Sequence, residues 1–273
     1  MQRRLGTDVG LTARMFLTMF LLAAVYLLFM GVLWALHVPL LLLIPVAILL
    51  LGAQYYFSDK LILLSLGARE VSEPEAPQLH EIVNRLAQMT GIPKPKVAII
   101  DSPVPNALAT GRDPNHAMVA VTTGILDQLD DQEMQAVLAH ELSHVIHRDI
   151  AVMAMASFFA TIASFIVIFL VSAAVWAISF LLIRTLSRYR EYAADRGSAI
   201  ITRDPSRLAS ALLKISGRMQ RIPDTDLRQM QAGSALMFFP AISRGSLGEI
   251  FATHPSLEHR IARLQAMEAQ LSR

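Results

Sequence analysis

His140, Glu141 and His144 have the residue types and spacing to hold and use a metal ion. On a helix, positions i and i+4 share a face, so both imidazoles can bind one cation. The glutamate between them can reach a water on that cation and take its proton. Zinc suits imidazole donors. It brings the pKa of bound water towards neutrality, so hydroxide becomes available to attack a peptide carbonyl. The competing reading is one polar helix in a greasy chain. Chance disfavours it: ordinary residue usage yields this pattern in roughly one protein in a hundred of this length.

A catalytic zinc takes three protein ligands and keeps one position open. The pattern H-x-x-G-x-x-H continued from His144 would need glycine at His147 and histidine at Ile150, so that class fails. A glutamate from a second helix is the other common solution. "SRYREYAADRGSAI" offers Glu191, with Asp195 four residues on and on the same face. Asp195 can accept a hydrogen bond from a ligand histidine and fix its tautomer. Taken alone, these two residues read first as solvated acids beside arginines. His147 reads as a polar neighbour, because a fourth ligand would close the site. His37, His80, His116 and His259 lack partners at metal spacing.

The elements that position these residues alternate with apolar runs. The chain has 273 residues, of which 54% are hydrophobic and 17% charged, against about 25% charged in a typical soluble domain. The excess collects before residue 60 and again between Ile150 and Ile183. A formal net charge of +2 gives no nucleic-acid signal. The absence of cysteine rules out disulfides and thiolate ligands, and it fits a reducing compartment.

Met15–Leu36 holds 22 residues without a charge, enough to cross a bilayer as a helix. It is too long for the apolar region of a cleaved signal peptide, and it leads into a second run, Val38–Tyr55. Together they predict a helical hairpin. Arg3, Arg4 and Arg14 flank one end, and Lys60 and Arg69 the other, which places both outer ends in the cytoplasm. Ile150–Ile183 is a third run of 34 residues without charge, glycine or proline. The zinc site restricts its path. His140 and His144 precede it and Glu191 follows it, so a single crossing would separate the ligands. A hairpin of two short tilted helices is expected, with its bend near Val171–Val175.

Between the runs the pattern is that of a soluble domain. Leu79, Ile82, Val83 and Leu86 predict a helix that stops at Gly91, and "KVAII" predicts a strand over Lys96–Ile100. "NALATG", "RDPNH" and "AMVAVTTG" predict strand, turn, strand. Asp130 and Glu133 form a capping box ahead of the motif helix. Segment Arg221–Leu247 reads either as a mobile gate near the cleft or as a buried connection.

Four stretches in this order, "NALATG", "HELSHVIHRD", "EYAADRGSA" and "THPSLEHRIARL", resemble the HtpX family of bacterial membrane metalloproteases, relatives of the zinc-dependent CAAX prenyl protease. The resemblance covers nearly the whole chain. It implies a mainly α membrane protein, with four transmembrane or membrane-embedded helices and a gluzincin-like α+β cytoplasmic domain carrying a small β-sheet. The expected division is a transmembrane hairpin (1–60), a first catalytic part (61–149), a second membrane hairpin (150–183) and a second catalytic part (184–273).

The resemblance further implies that His140, His144 and Glu191 hold one Zn2+ and that Glu141 is the general base. Asp149 and Asp195 belong to the family motif. His254 and Arg260 are implied to stabilise the oxyanion; spacing alone allows instead a cap and a start for a C-terminal helix. Asn106 and Ala107 are candidates for pairing with an extended substrate. The implied activity is a zinc endopeptidase of the cytoplasmic (inner) membrane, multi-pass, with its site facing the cytoplasm. Its expected partners are the lipid bilayer and unfolded or membrane protein substrates in quality control under stress. Three rivals are an intramembrane protease, a CAAX-type processing protease and a non-catalytic metal-binding scaffold. The polar approach "DQLDDQEMQAV" argues against the first, and an intact Glu141 against the last.

Overall fold

In the computed structural model, the described residues are 8–35, 66–149 apart from 112, 169–219 and 254–272, with isolated positions between 37 and 64 and at 152. Most of Val38–Tyr55, nearly all of 150–168 and the segment 220–253 lie outside them. The expected second membrane helix, the start of the third run and the segment Arg221–Leu247 therefore fall outside the described residues.

The first helix, α1 (Val9–Ala35), begins where Asp8 Oδ1 accepts the Leu11 N–H at 2.9 Å, a side-chain cap of the kind helix starts require. Val9–Phe29 within it has a mean hydropathy of 1.9 and is long enough to cross a membrane; among the described residues it is the one helix that is. Leu11, Thr18, Leu22, Tyr26 and Phe29 form a buried stripe at helical spacing, while Phe16, Phe20, Leu27 and Leu28 stay exposed. So many bare apolar side chains on one helix mark a surface meant for lipid or a partner.

The soluble part is built on a four-stranded sheet of order β1-β2-β4-β3, from β1 (Arg69–Glu70), β2 (Lys96–Ile100), β3 (Ala107–Thr110) and β4 (Met118–Thr122). β3 and β4 pair antiparallel, as the sequence predicts. The added feature is the parallel pairing of β2 with β4, Val97 opposite Val119. Helix α2 (Pro77–Thr90) packs its Leu79, Val83 and Leu86 onto this sheet and ends at Gly91, whose φ of 72° suits a residue without Cβ. A short α3 (Thr123–Leu126) follows β4.

The motif helix α4 (Asp131–Ile146) carries the predicted capping box: Asp130 accepts from the Gln132 and Glu133 amides, and Glu133 accepts from the Asp130 amide at 3.1 Å. Glu133 also accepts from Ser210 and Lys214, both at 2.6 Å, on α6 (Pro205–Met219). From Ala136 to Ser143 every residue of α4 is buried. A helix buried all round is ordinarily apolar. This one buries His140, Glu141 and Ser143, and buried polar groups need partners.

Helix α5 (Phe169–Thr202) has 34 residues, about 51 Å at 1.5 Å per residue. It runs without interruption through Val171–Val175, so the bend expected there is corrected: nothing in that stretch breaks a helix. α1 lies antiparallel to α5, with Leu22 and Tyr26 against Leu186 and with Asp8 close to Arg196. The C-terminal helix α7 (Leu257–Leu271) is capped by Ser256, not His254, and Arg263 on it reaches Asp8 at 2.8 Å while covering the Tyr192 ring.

α4 and α5 approach closely at Gly197. A Cβ there would sit 2.0 Å from Ser143 Oγ and 2.7 Å from its Cβ. Gly197→Ala is expected to lower the thermal midpoint, because overpacking costs about 1–3 kcal/mol against roughly 1 kcal/mol gained in helix propensity. Ser143→Gly added to that variant should restore the midpoint; if it does not, the close contact is not the cause.

Candidate metal centre

α4 presents His140 and His144 on one face, and α5 brings Glu191 opposite them. The two Nε2 atoms lie 3.2 Å apart, with the rings nearly perpendicular. Glu191 Oε2 is 3.6 Å from His140 Nε2, and Glu191 Oε1 is 3.5 Å from His144 Nε2. One donor atom from each residue falls within 4.8 Å of the others.

The remaining ring nitrogens fix the tautomers. His140 Nδ1 is 2.9 Å from Asp195 Oδ1, and His144 Nδ1 is 2.7 Å from Asp149 Oδ2. Each Nδ1 then donates to a carboxylate, which leaves the lone pair on Nε2. Two such lone pairs facing each other across 3.2 Å repel unless a cation lies beside them. Glu191 Oε2 is also buried without a hydrogen-bond partner. The donor set of two imidazoles and one carboxylate therefore fits a divalent metal.

The chain reaches this geometry by a sharp exit from α4. Arg148 adopts a φ of 54°, rare for a residue with a side chain, and this turn brings Asp149 back towards His144. Arg190 pairs with Asp149 and donates to the His147 carbonyl at 3.3 Å, so the aspartate is held from both sides. His147 itself caps α4 and turns its Nδ1 to the Ser143 carbonyl at 2.7 Å, away from the histidine pair.

Arg260 is 2% exposed and grips Asp195 with two hydrogen bonds, Nε to Oδ2 at 3.0 Å and Nη2 to Oδ1 at 2.6 Å. Its Nη1 lies 3.8 Å from Glu191 Oε2. Burial raises the Asp195 carboxyl, but the Arg260 charge and the His140 contact outweigh it and leave the pKa below the ordinary value. Glu191 follows the same logic: burial opposes ionisation, and the charge of His254 with the contact from His140 brings it well below the usual range. His254 is buried, its Nδ1 lies 3.0 Å from Glu191 Oε2, and among the described residues its Nε2 has no hydrogen-bond partner.

Glu141 stands apart from these acids. It is 2% exposed, and burial pushes its pKa up. Its Oε2 accepts the Ala109 N–H of β3 at 2.8 Å. β3 is an edge strand, and Asn106 pairs with Thr122 through backbone and hydroxyl groups. That register turns the Ala107 and Ala109 amides away from β4. Asn106 Oδ1 accepts from the Ala107 amide at 3.0 Å, and Glu141 from the Ala109 amide.

The sequence profile of Peptidase family M48 matches residues 73–268. The chain belongs to peptidase family M48. Curated relatives bear out the HtpX resemblance of this M48 peptidase. A "Protease HtpX homolog" of Moorella thermoacetica is 53% identical over 99% of each chain, and a "Protease HtpX homolog 2" of Methanosarcina acetivorans is 52% identical over 100% of each. A "Protease HtpX homolog 1" of Streptomyces coelicolor is 47% identical over 99% of this chain and 97% of its own. The crystal structure of S. mikatae Ste24p is similar in fold, with a TM-score of 0.56 at 16% identity over 94% of this chain and 67% of that one. Membership makes the chain a metallopeptidase, a hydrolase of peptide bonds, and M48 implies a divalent metal.

The structure brings together every motif residue that the sequence singled out: His140, His144, Glu191, Glu141, Asp149, Asp195, His254 and Arg260. Ala107 opens the adjoining edge strand and Asn106 directly precedes it. Three site contacts had no signal in the sequence. The Arg260–Asp195 pair joins residues 65 apart, Arg190 supports Asp149 across 41, and the partner of Glu141 is a main-chain amide 32 residues away.

Proposed function

We propose that this M48 peptidase is a membrane-integrated zinc endopeptidase with Glu141 as its general base. The observation that carries the reading is the pair of facing Nε2 atoms, each histidine oriented by its own aspartate and both closed by Glu191. His140, His144 and Glu191 would hold the ion, and a set of two nitrogen donors and one oxygen donor suits a catalytic zinc. A bound zinc ion supplies Lewis acidity and lowers the pKa of water to the range where hydroxide forms near neutral pH.

The chain's own residues supply the rest. Glu141 takes the proton of the attacking water at Oε1 or Oε2. Its raised pKa is the direction that a proton acceptor working near neutrality needs. It can then pass that proton to the leaving amine. His254, buried beside Glu191 and with no hydrogen-bond partner on Nε2 among the described residues, would donate to the developing oxyanion, and the Arg260 charge supports it. Asp195 and Asp149 hold the ligand imidazoles in the metal-binding tautomer. Asn106 and Ala107 line the edge where an extended substrate adds as a strand.

We assign the site to the cytoplasmic side of the inner membrane. Arg14 on α1 and Arg184, Arg188 and Arg190 on α5 flank the apolar stretches at the end where Asp8, Arg196 and the metal ligands lie, and basic residues favour that side. The four-part division into two membrane hairpins and two catalytic parts remains part of this proposal. A site close to the membrane and an edge strand beside Glu141 fit unfolded or damaged membrane proteins as substrates.

Metal removal tests the reading. Purified in detergent and stripped with a chelator, the chain should lose cleavage of an unfolded protein and regain it with one equivalent of Zn2+. Elemental analysis of the untreated protein should find one zinc per chain. Full activity in the stripped protein would sink the proposal.

A further inference from the structure

A cavity of about 510 Å³ lies between α1 and α5. Arg190, Ala193 and Gly197 line it, and at helical spacing these face away from Glu191 and Asp195. The cavity is therefore separate from the metal centre.

Its walls change character along its length. Met15, Met19 and Leu186 make one part apolar, while Asp8, Arg190 and Arg196 mark the other. The charges at the polar end do not cancel. Asp8 is engaged by Arg263 and by the Leu11 amide. Arg190 is engaged by Asp149. Arg196 forms no hydrogen bond or ion pair among the described residues, though its charge reaches Asp8. The polar end lies where α1 passes from Asp8 and Thr12 into its apolar stretch at Met15. The cavity thus straddles the boundary between water and hydrocarbon that the membrane reading assigns to α1.

We propose that this groove binds one anionic phospholipid, its acyl chain along Met15, Met19 and Leu186 and its phosphate at Arg196. The proposal rests on the membrane-integrated reading. A guanidinium offers paired donors to a phosphate. A zwitterionic lipid would bring a second cation to an end that is already positive. A peptide would lay unpaired backbone amides against an apolar wall. A bound lipid would brace α1 against α5, the helix that carries Glu191.

Native mass spectrometry on the full chain in detergent tests this, with dioleoyl phosphatidylglycerol and dioleoyl phosphatidylcholine as probes. One phosphatidylglycerol should be retained, about tenfold more tightly than phosphatidylcholine, as expected for one charge-assisted contact. Arg196→Gln should abolish that preference, and Arg196→Lys, which keeps the charge, should retain much of it. Met19→Trp, which fills the apolar part, should weaken binding without changing charge. Equal retention of the two lipids by the wild type, or a preference that survives Arg196→Gln, would overturn the site. Vesicle flotation separates the two levels. A chain that floats with both lipids yet shows no selective adduct loses only this site. A chain that floats with neither loses the membrane reading as well.

Discussion

Replacing Glu141 by Gln should lower kcat on an unfolded protein substrate by about 10²–10⁴, the range ascribed to a positioned general base. The substitution keeps shape and one acceptor oxygen and removes the ability to take a proton. Glutamine can still accept the Ala109 amide that Glu141 Oε2 accepts at 2.8 Å. The buried side chain therefore keeps its place, and because Glu141 is not among the three donor residues, metal content should match the wild type. Elemental analysis and kinetics on the same preparation make the comparison. Activity retained with metal bound would remove Glu141 from the mechanism. Metal lost together with activity would show that the residue maintains the site rather than acting as its base.

The second large effect concerns stability. Arg260→Ala should cost about 3–5 kcal/mol, because it strands the buried Asp195 carboxylate without its counter-charge. For a chain of this size that is a fall of roughly 6–20 °C in thermal midpoint. Asp195 is fully buried, and Arg260 donates two hydrogen bonds to it, at 2.6 and 3.0 Å. Pairing Arg260→Met with Asp195→Asn removes both charges and should recover most of the loss. It should not recover metal affinity, since His140 Nδ1 would then face a neutral amide. Scanning calorimetry and metal titration on both variants separate the two roles. A single variant as stable as the wild type would mean that Asp195 is neutralised another way.

Much of this site is legible in the sequence because its chemistry is carried by local spacing. His140 and His144 share a helix face by arithmetic, and so do Glu191 and Asp195. The capping box at Asp130 and Glu133 and the stop at Gly91 are equally local, and the structure places them where the residue types require. Long-range pairings have no such signature. The parallel register of β2 with β4 depends on how the sheet closes. β1 is two exposed residues without alternation. The Arg260–Asp195 pair exists only once α7 docks on α5. The bend expected at Val171–Val175 followed from the need to return Glu191 to the side of His140 and His144. The local sequence, free of glycine and proline, favours a continuous helix instead, and α5 runs straight through.

That continuity has a mechanical meaning. α5 is one rigid rod on which the last apolar residue of the run, Ile183, and the ligand Glu191 are eight residues apart. Along a helix this is about 12 Å. On the proposed membrane reading, with the apolar part of α5 in the bilayer, the helix would act as a ruler that sets the height of the scissile bond above the lipid. A membrane-anchored substrate then needs about four extended residues between its point of exit and its cleavage point. Cuts closer to the membrane than that would require the substrate's own helix to be pulled out or unwound first, and this minimum stub length follows from the protease's architecture rather than from side-chain preference.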